Sequence, residues 1–126
     1  MTNAALIAKL ASAKEGTREF DVQVGKATGW HGSNWAVGWL PPEVKLTEAE
    51  FARHQVMPAF TTSLQAAVDL VPEGWAGGGR LVGEPPYAME LLNTNEDESG
   101  FVNSSANTPA LALCVAILRA VEAKDG

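Results

Sequence analysis

Two helix-forming segments bracket a strand-forming stretch in the second half of this chain, and that arrangement confines it to a mixed helix-and-sheet fold. The first runs Phe60-Thr-Thr-Ser-Leu-Gln-Ala-Ala-Val-Asp-Leu-Val-Pro-Glu-Gly-Trp75 and the second Asn107-Thr-Pro-Ala-Leu-Ala-Leu-Cys-Val-Ala-Ile-Leu-Arg-Ala-Val121. Each carries its own start signal. In the first, Thr62 is the expected cap and Gln65 reaches back to complete a capping box, which places helix onset at Ser63. Leu64, Ala67, Val68 and Val71 then form its expected buried face, and Pro72 disfavours helical geometry at Val71. In the second, Thr108 caps and Pro109 takes the first helical position, where its missing N–H has no intrahelical partner to lose. Leu111, Cys114, Val115, Leu118 and Val121 form one apolar stripe, and Leu113 and Ile117 a second. Such a helix is covered on more than one side. Between the two helices, residues 80–83, 87–93 and 101–104 read as short strands, punctuated by Gly77-Gly-Gly79, Glu84-Pro-Pro86 and the polar run 94–100.

The first half reads less sharply. Leu6, Ile7 and Leu10 give an opening amphipathic helix capped by Thr2 or Asn3, with Gly16 expected as its left-handed exit. Thr17 caps a second helix that runs to Gly29, although Phe20, Val22 and Val24 also alternate as a strand would. Residues 30–42 hold three of the four tryptophans among glycines, ahead of Pro41-Pro42, and predict a loop or short irregular hairpin. Thr47 and Glu50 then form a capping box, with Leu46 and Phe51 placed as a hydrophobic staple, so a brief helix begins at Glu48. The expectation is a single α+β domain over residues 1–126, in the order α-α-α-α-β-β-β-α. Its small antiparallel sheet of about three strands is covered by the helices starting at Ser63 and Thr108, and the two N-terminal helices pack at the side or on the other face.

Charge and composition exclude several classes. At 46% apolar and 19% charged residues, the chain is globular in composition and not disordered. Its longest apolar run, residues 110–118, has nine residues, against the ~20 needed to span a bilayer. No basic region leads into an apolar block at the N-terminus, so no signal peptide and no membrane partner are expected. From His54 onwards nine acids face three bases, so that half carries the whole net charge of −6. A surface of that sign repels phosphate backbones, and binding to nucleic acid is disfavoured. The single Cys114 lies mid-stripe in an apolar helix and reads as a buried small hydrophobe in a reducing cytoplasm.

Chemistry-bearing patterns are sparse. His31 and His54 are 23 positions apart and no Cys-x-x-Cys or His-x-x-x-His pair exists, so no metal site is expected. The run Asn93-Thr-Asn-Glu-Asp-Glu-Ser-Gly alternates oxygen ligands like a calcium loop, but Glu98 stands at the glycine position and Ser104 at that of the bidentate glutamate. No catalytic residue and no cofactor are assigned: there is no Gly-x-Ser-x-Gly, and none of the fifteen acids is singled out as half of a carboxylate pair. Gly77-Gly-Gly-Arg80 can present N–H groups and a guanidinium to an anion, yet it precedes a strand and lacks the helix N-terminus of a phosphate loop. The best binding candidate is the segment Trp30 to Trp39. Trp30, Trp35 and Trp39 either anchor a partner, with His31 as a polar contact, or close over the sheet as a lid. At least one of the three is expected in the core. Arg80 joins the segment as the base for a small anionic ligand.

The two segments quoted first, together with Leu6-Ile-Ala-Lys-Leu-Ala-Ser-Ala-Lys-Glu-Gly-Thr-Arg-Glu-Phe-Asp21, resemble the phage ABA-sandwich domain family of small phage and prophage proteins. The resemblance covers about half of the chain. It is weak over residues 30–59, which look like a divergent or inserted loop region. It implies a phage origin and helices packed with a small antiparallel sheet, and it brings no activity. The helix–strand–strand–strand–helix order is also that of double-stranded-RNA-binding domains, but their basic cluster at the last helix is replaced here by Asn107-Thr-Pro-Ala-Leu-Ala. The expected function is a non-enzymatic phage accessory protein in the cytoplasm of an infected host. It binds a host component, a host protein or a small anionic ligand, with inhibition of a defence system as the expected consequence. A binder of a small anionic nucleotide is the alternative, and a small hydrolase or a virion or regulatory component a third. A symmetric homodimer is expected over a monomer.

Overall fold

The apolar segment that closes the chain becomes the axis of the structure. A computed structural model describes residues 4–32, 39–40, 57–71, 74–80, 86–93 and 101–125. Its elements in order are α1 (Ala4–Ser12), α2 (Arg18–Ala27), β1 (His31–Gly32), β2 (Trp39–Leu40), α3 (Leu64–Val68), β3 (Trp75–Arg80), β4 (Tyr87–Asn93), β5 (Phe101–Ala106) and α4 (Pro109–Asp125). The fold is α+β. The helix expected from Glu48 lies outside the described residues.

α4 starts as its sequence dictates, with the Leu111 N–H donating to the Thr108 hydroxyl at 3.1 Å. Every residue from Ala110 to Leu118 is buried. That is the signature of a helix enclosed on all sides and not of an amphipathic one. Its neighbours are β4 and β5 on one side, with α1, α3 and α2 packed around the rest. The arrangement corrects the expected one: the sheet is covered chiefly by α4, while α3 and the two N-terminal helices wrap α4 itself. The Ser104 hydroxyl pins α4 to the sheet by donating to the Ala112 carbonyl at 2.6 Å.

The sheet is antiparallel in the order β3-β4-β5. Met89 and Leu91 of β4 are buried beneath α4, while Ala88, Glu90 and Leu92 alternate to the open face. β4 occupies the expected residues and β5 runs two residues beyond its expected end. β3 does not fit the expectation. The strand comprises Trp75–Arg80 and takes in the glycine run that reads as a turn, while residues 81–83 lie outside the described residues.

Three local expectations also shift. Ser63, and not Thr62, caps α3, its hydroxyl accepting from the Ala66 N–H at 3.3 Å. Val68 is 46% exposed and so does not belong to the buried face. Gly16 does not take a left-handed conformation; the positive-φ glycines among the described residues are Gly29 and Gly74. Gly16 instead lies against Thr61, whose carbonyl oxygen would sit 2.0 Å from an added Cβ. Thr17 caps α2 as expected, accepting from the Phe20 N–H at 3.1 Å, and the helix ends at Ala27 ahead of Gly29 at φ 108°.

Candidate functional site

The tryptophan segment begins where α2 stops. β1 and β2 pair antiparallel, placing His31 opposite Leu40 and Gly32 opposite Trp39. This short ladder brings Trp30, His31 and Trp39 into one corner of the fold. Trp39 faces inward: it is 1% exposed and belongs to the same core as Leu10, Met57 and α4. Its ring is therefore a core component and presents no face to a partner.

Trp30 is half-buried and meets Phe60 edge-to-face, with ring centroids 6.0 Å apart. Its Nε1–H is buried and has no hydrogen-bond partner. A buried donor in that state is unusual and is stabilised by any acceptor brought to it. Trp35 lies outside the described residues. Arg80 belongs to a different sheet, at the end of β3 opposite Ala88.

The structure removes the phosphate-loop reading of Gly77-Gly-Gly-Arg80. The three glycines are ladder residues, facing Leu91, Glu90 and Met89 across the β3–β4 pair. A Cβ at Gly77 would lie 1.9 Å from the Glu90 carbonyl oxygen, and one at Gly79 would lie 2.0 Å from that of Ala88. These two glycines are set by close backbone approach, and the run forms no anion-cradling turn.

A polar cluster that sequence reasoning missed sits in the core. Asp21 is fully buried, and one of its oxygens, Oδ1, accepts from both the Thr61 N–H at 2.8 Å and the Thr61 hydroxyl at 2.5 Å. Its Oδ2 accepts from Arg18 Nη1 at 2.8 Å. Arg18 Nη2 in turn donates to the Met57 carbonyl, and the Thr61 hydroxyl also accepts from the Thr17 N–H at 3.1 Å. Nearby, the Cys114 thiol donates to the Phe60 carbonyl at 3.2 Å. Burial first, and the Asp21 carboxylate second, push that thiol up to about 12. A thiol held neutral in this way is a packing group and no nucleophile at physiological pH.

The cluster joins the Arg-Glu-Phe-Asp start of α2, the Thr-Thr-Ser approach to α3 and the middle of α4. These contacts tie three segments far apart in sequence into one buried junction. The only sequence signal for it was Arg18 three residues before Asp21, a spacing common on exposed helix faces. Among the described residues no His, Cys, Asp and Glu group assembles that could hold a metal ion, and no helix is long and apolar enough to cross a membrane. No family model matches the chain, and comparison with curated proteins and with solved structures finds no match.

Proposed function

We propose that this chain is a non-enzymatic phage accessory protein that binds a host protein and thereby blocks a defence system. The observation that carries this reading is how the buried reactive groups are used. Asp21, Thr61 and Cys114 are committed to hydrogen bonds that hold the core together, while the surface of the second half is acidic. A chain with that excess of acids is suited to a basic partner, for example one whose own groove handles nucleic acid. The phage assignment is supported by the resemblance in the three blocks that meet at Asp21.

The same reading has the chain as a homodimer. Its support is Leu92, which is 52% exposed on the face of the sheet opposite α4, paired in register with Ala76 and Phe101. An apolar residue exposed on the middle strand of the sheet favours burial against a second copy.

The test is capture from bacterial lysate on immobilised protein, followed by reconstitution of the captured component from purified material. A complex of defined stoichiometry that dissociates as salt rises supports the proposal, because screening weakens contacts between exposed charges. Failure to reconstitute any complex overturns it, and a nucleotide found by native mass spectrometry on protein purified from cells would replace it with the ligand-binding reading.

A further inference from the structure

β3 is an edge strand, with β4 on one side and no described strand on the other. Its residues Ala76, Gly77, Gly78 and Gly79 are all exposed. An edge of this kind offers a row of backbone donors and acceptors to another chain, and proteins usually blunt it with a charge, a proline or a bulge. None of these occurs within Ala76–Gly79. Nothing bulkier than a methyl group stands along it.

Beside this edge lies a groove of about 330 Å³. Its walls are Leu64, Val68 and Val71, and its floor is Gly77, Met89 and Leu91. Val68 is 46% exposed at this groove, and the other large side chains that line it are half-buried or buried. On the other face of the sheet, Gly78 pairs with the exposed Glu90, and an added Cβ at Gly78 would meet nothing within 4 Å. The two faces of the edge therefore differ: one is an apolar groove, and the other carries the Glu90 carboxylate beside the exposed Leu92.

We propose that the open edge of β3 is a strand-addition site for an extended segment of a basic partner protein, in which apolar and basic side chains alternate. Successive side chains of an added strand point to opposite faces. One set enters the groove beside Val68, and the other passes over Glu90. Backbone hydrogen bonds to β3 supply affinity, and the alternating contacts supply specificity. Charge decides the occupant. The half of the chain that contains β3 carries the whole −6, and Asp69, next to Val68, is exposed like Glu90. A second copy's own edge, Ala76 to Gly79, would bring no basic side chain to that surface and none to fill the groove, whereas a lysine- or arginine-bearing strand supplies both. This inference rests on the proposed binding function and names its site and partner chemistry.

The experiment uses two short labelled peptides, one alternating valine with lysine and one alternating valine with glutamate. Anisotropy reads binding to the whole protein, and amide hydrogen exchange reads the β3 backbone. The lysine peptide is expected to bind and to protect the amides of Ala76 to Gly79. Val68→Lys should weaken it about tenfold or more at unchanged melting temperature, a loss typical of a contact that matters. Glu90→Lys should shift preference to the glutamate peptide. Equal binding of both peptides, or binding without protection at β3, overturns the proposal. So does protection of those amides by rising protein concentration alone, which would make a second copy the occupant. A host protein captured equally by wild type and Val68→Lys leaves the binding function standing and removes this site. Peptide binding at β3 without any host complex does the reverse.

Discussion

Asp21 and Thr61, 40 positions apart, are joined by two hydrogen bonds to a single carboxylate oxygen, at 2.8 and 2.5 Å. This junction fixes α2 against the turn that leads into α3. Removing the carboxylate leaves both Thr61 donors buried without an acceptor, and removing the hydroxyl takes one donor from the buried carboxylate; an unsatisfied buried neutral group costs about 1–3 kcal/mol. Thr61→Val is therefore expected to destabilise by about 2 kcal/mol and Asp21→Ala by about 3 kcal/mol. Because both substitutions remove the bond from the Thr61 hydroxyl to Asp21, the double variant should lose less than the sum, with a coupling of about 1 kcal/mol. Urea denaturation of the four proteins measures this. Strict additivity would show that the two residues act separately.

Cys114 adds a pH dependence. Its thiol rises from 9.0 to about 12 in the folded protein. Between those values the unfolded chain has lost the proton while the folded chain keeps it, so folding binds a proton and stability falls as pH rises. The contribution is fully present below pH 9 and declines above it, by up to about 1.4 kcal/mol per pH unit. Stability curves from pH 8 to 11 should show that slope in the wild type, and Cys114→Ala should flatten it. A maleimide should leave the native thiol untouched at pH 8 and label it once urea unfolds the chain. Rapid native labelling would place Cys114 at the surface.

The glycines of β3 should respond unequally to alanine. Gly77→Ala and Gly79→Ala drive a methyl group into carbonyl oxygens of β4, at 1.9 and 2.0 Å, and are expected to destabilise strongly. Gly78→Ala meets open space and should be neutral or stabilise by up to about 1 kcal/mol, through the restricted unfolded chain. Three melting temperatures decide it. Similar losses at all three positions would mean that the run is not held in the observed register.

That contrast also explains what the sequence could and could not reveal. β4 was legible because Met89 and Leu91 alternate with Ala88, Glu90 and Leu92, and α4 because Thr108-Pro109 marks its start. β3 was not, because a strand whose partner approaches too closely for side chains leaves no alternation to read; its glycines imitate a turn. Asp21 was hidden for another reason. A carboxylate in the first turn of a helix ordinarily answers the helix dipole from the surface, and only the distant Thr61 makes it a core residue. The three tryptophans were ambiguous for the same cause: burial of Trp39 depends on how residues far along the chain close over it.

Leu92 tests the assembly. Sedimentation at micromolar concentration should give twice the mass of one chain. Leu92→Lys should return a monomer without lowering the melting temperature measured at high dilution, since the residue is 52% exposed. A wild-type mass of one chain would remove the homodimer and leave Leu92 as an isolated surface apolar residue.

The tryptophans separate core from contact. Trp39→Ala removes a ring that is 1% exposed and should destabilise by about 3–5 kcal/mol. Trp30→Phe is the more informative change. It keeps an aromatic ring against Phe60 and deletes an Nε1–H that is buried without a partner. Removing a buried donor that makes no hydrogen bond should leave the melting temperature unchanged or raise it. If that donor is held for an acceptor on the bound partner, affinity should fall by about tenfold or more in the same variant, the loss expected for one buried hydrogen bond to a charged or carbonyl oxygen. Trp35→Ala, assayed beside it, should lower affinity at unchanged stability if the segment carries binding. Both variants binding as wild type would assign the whole segment to the closure of the core.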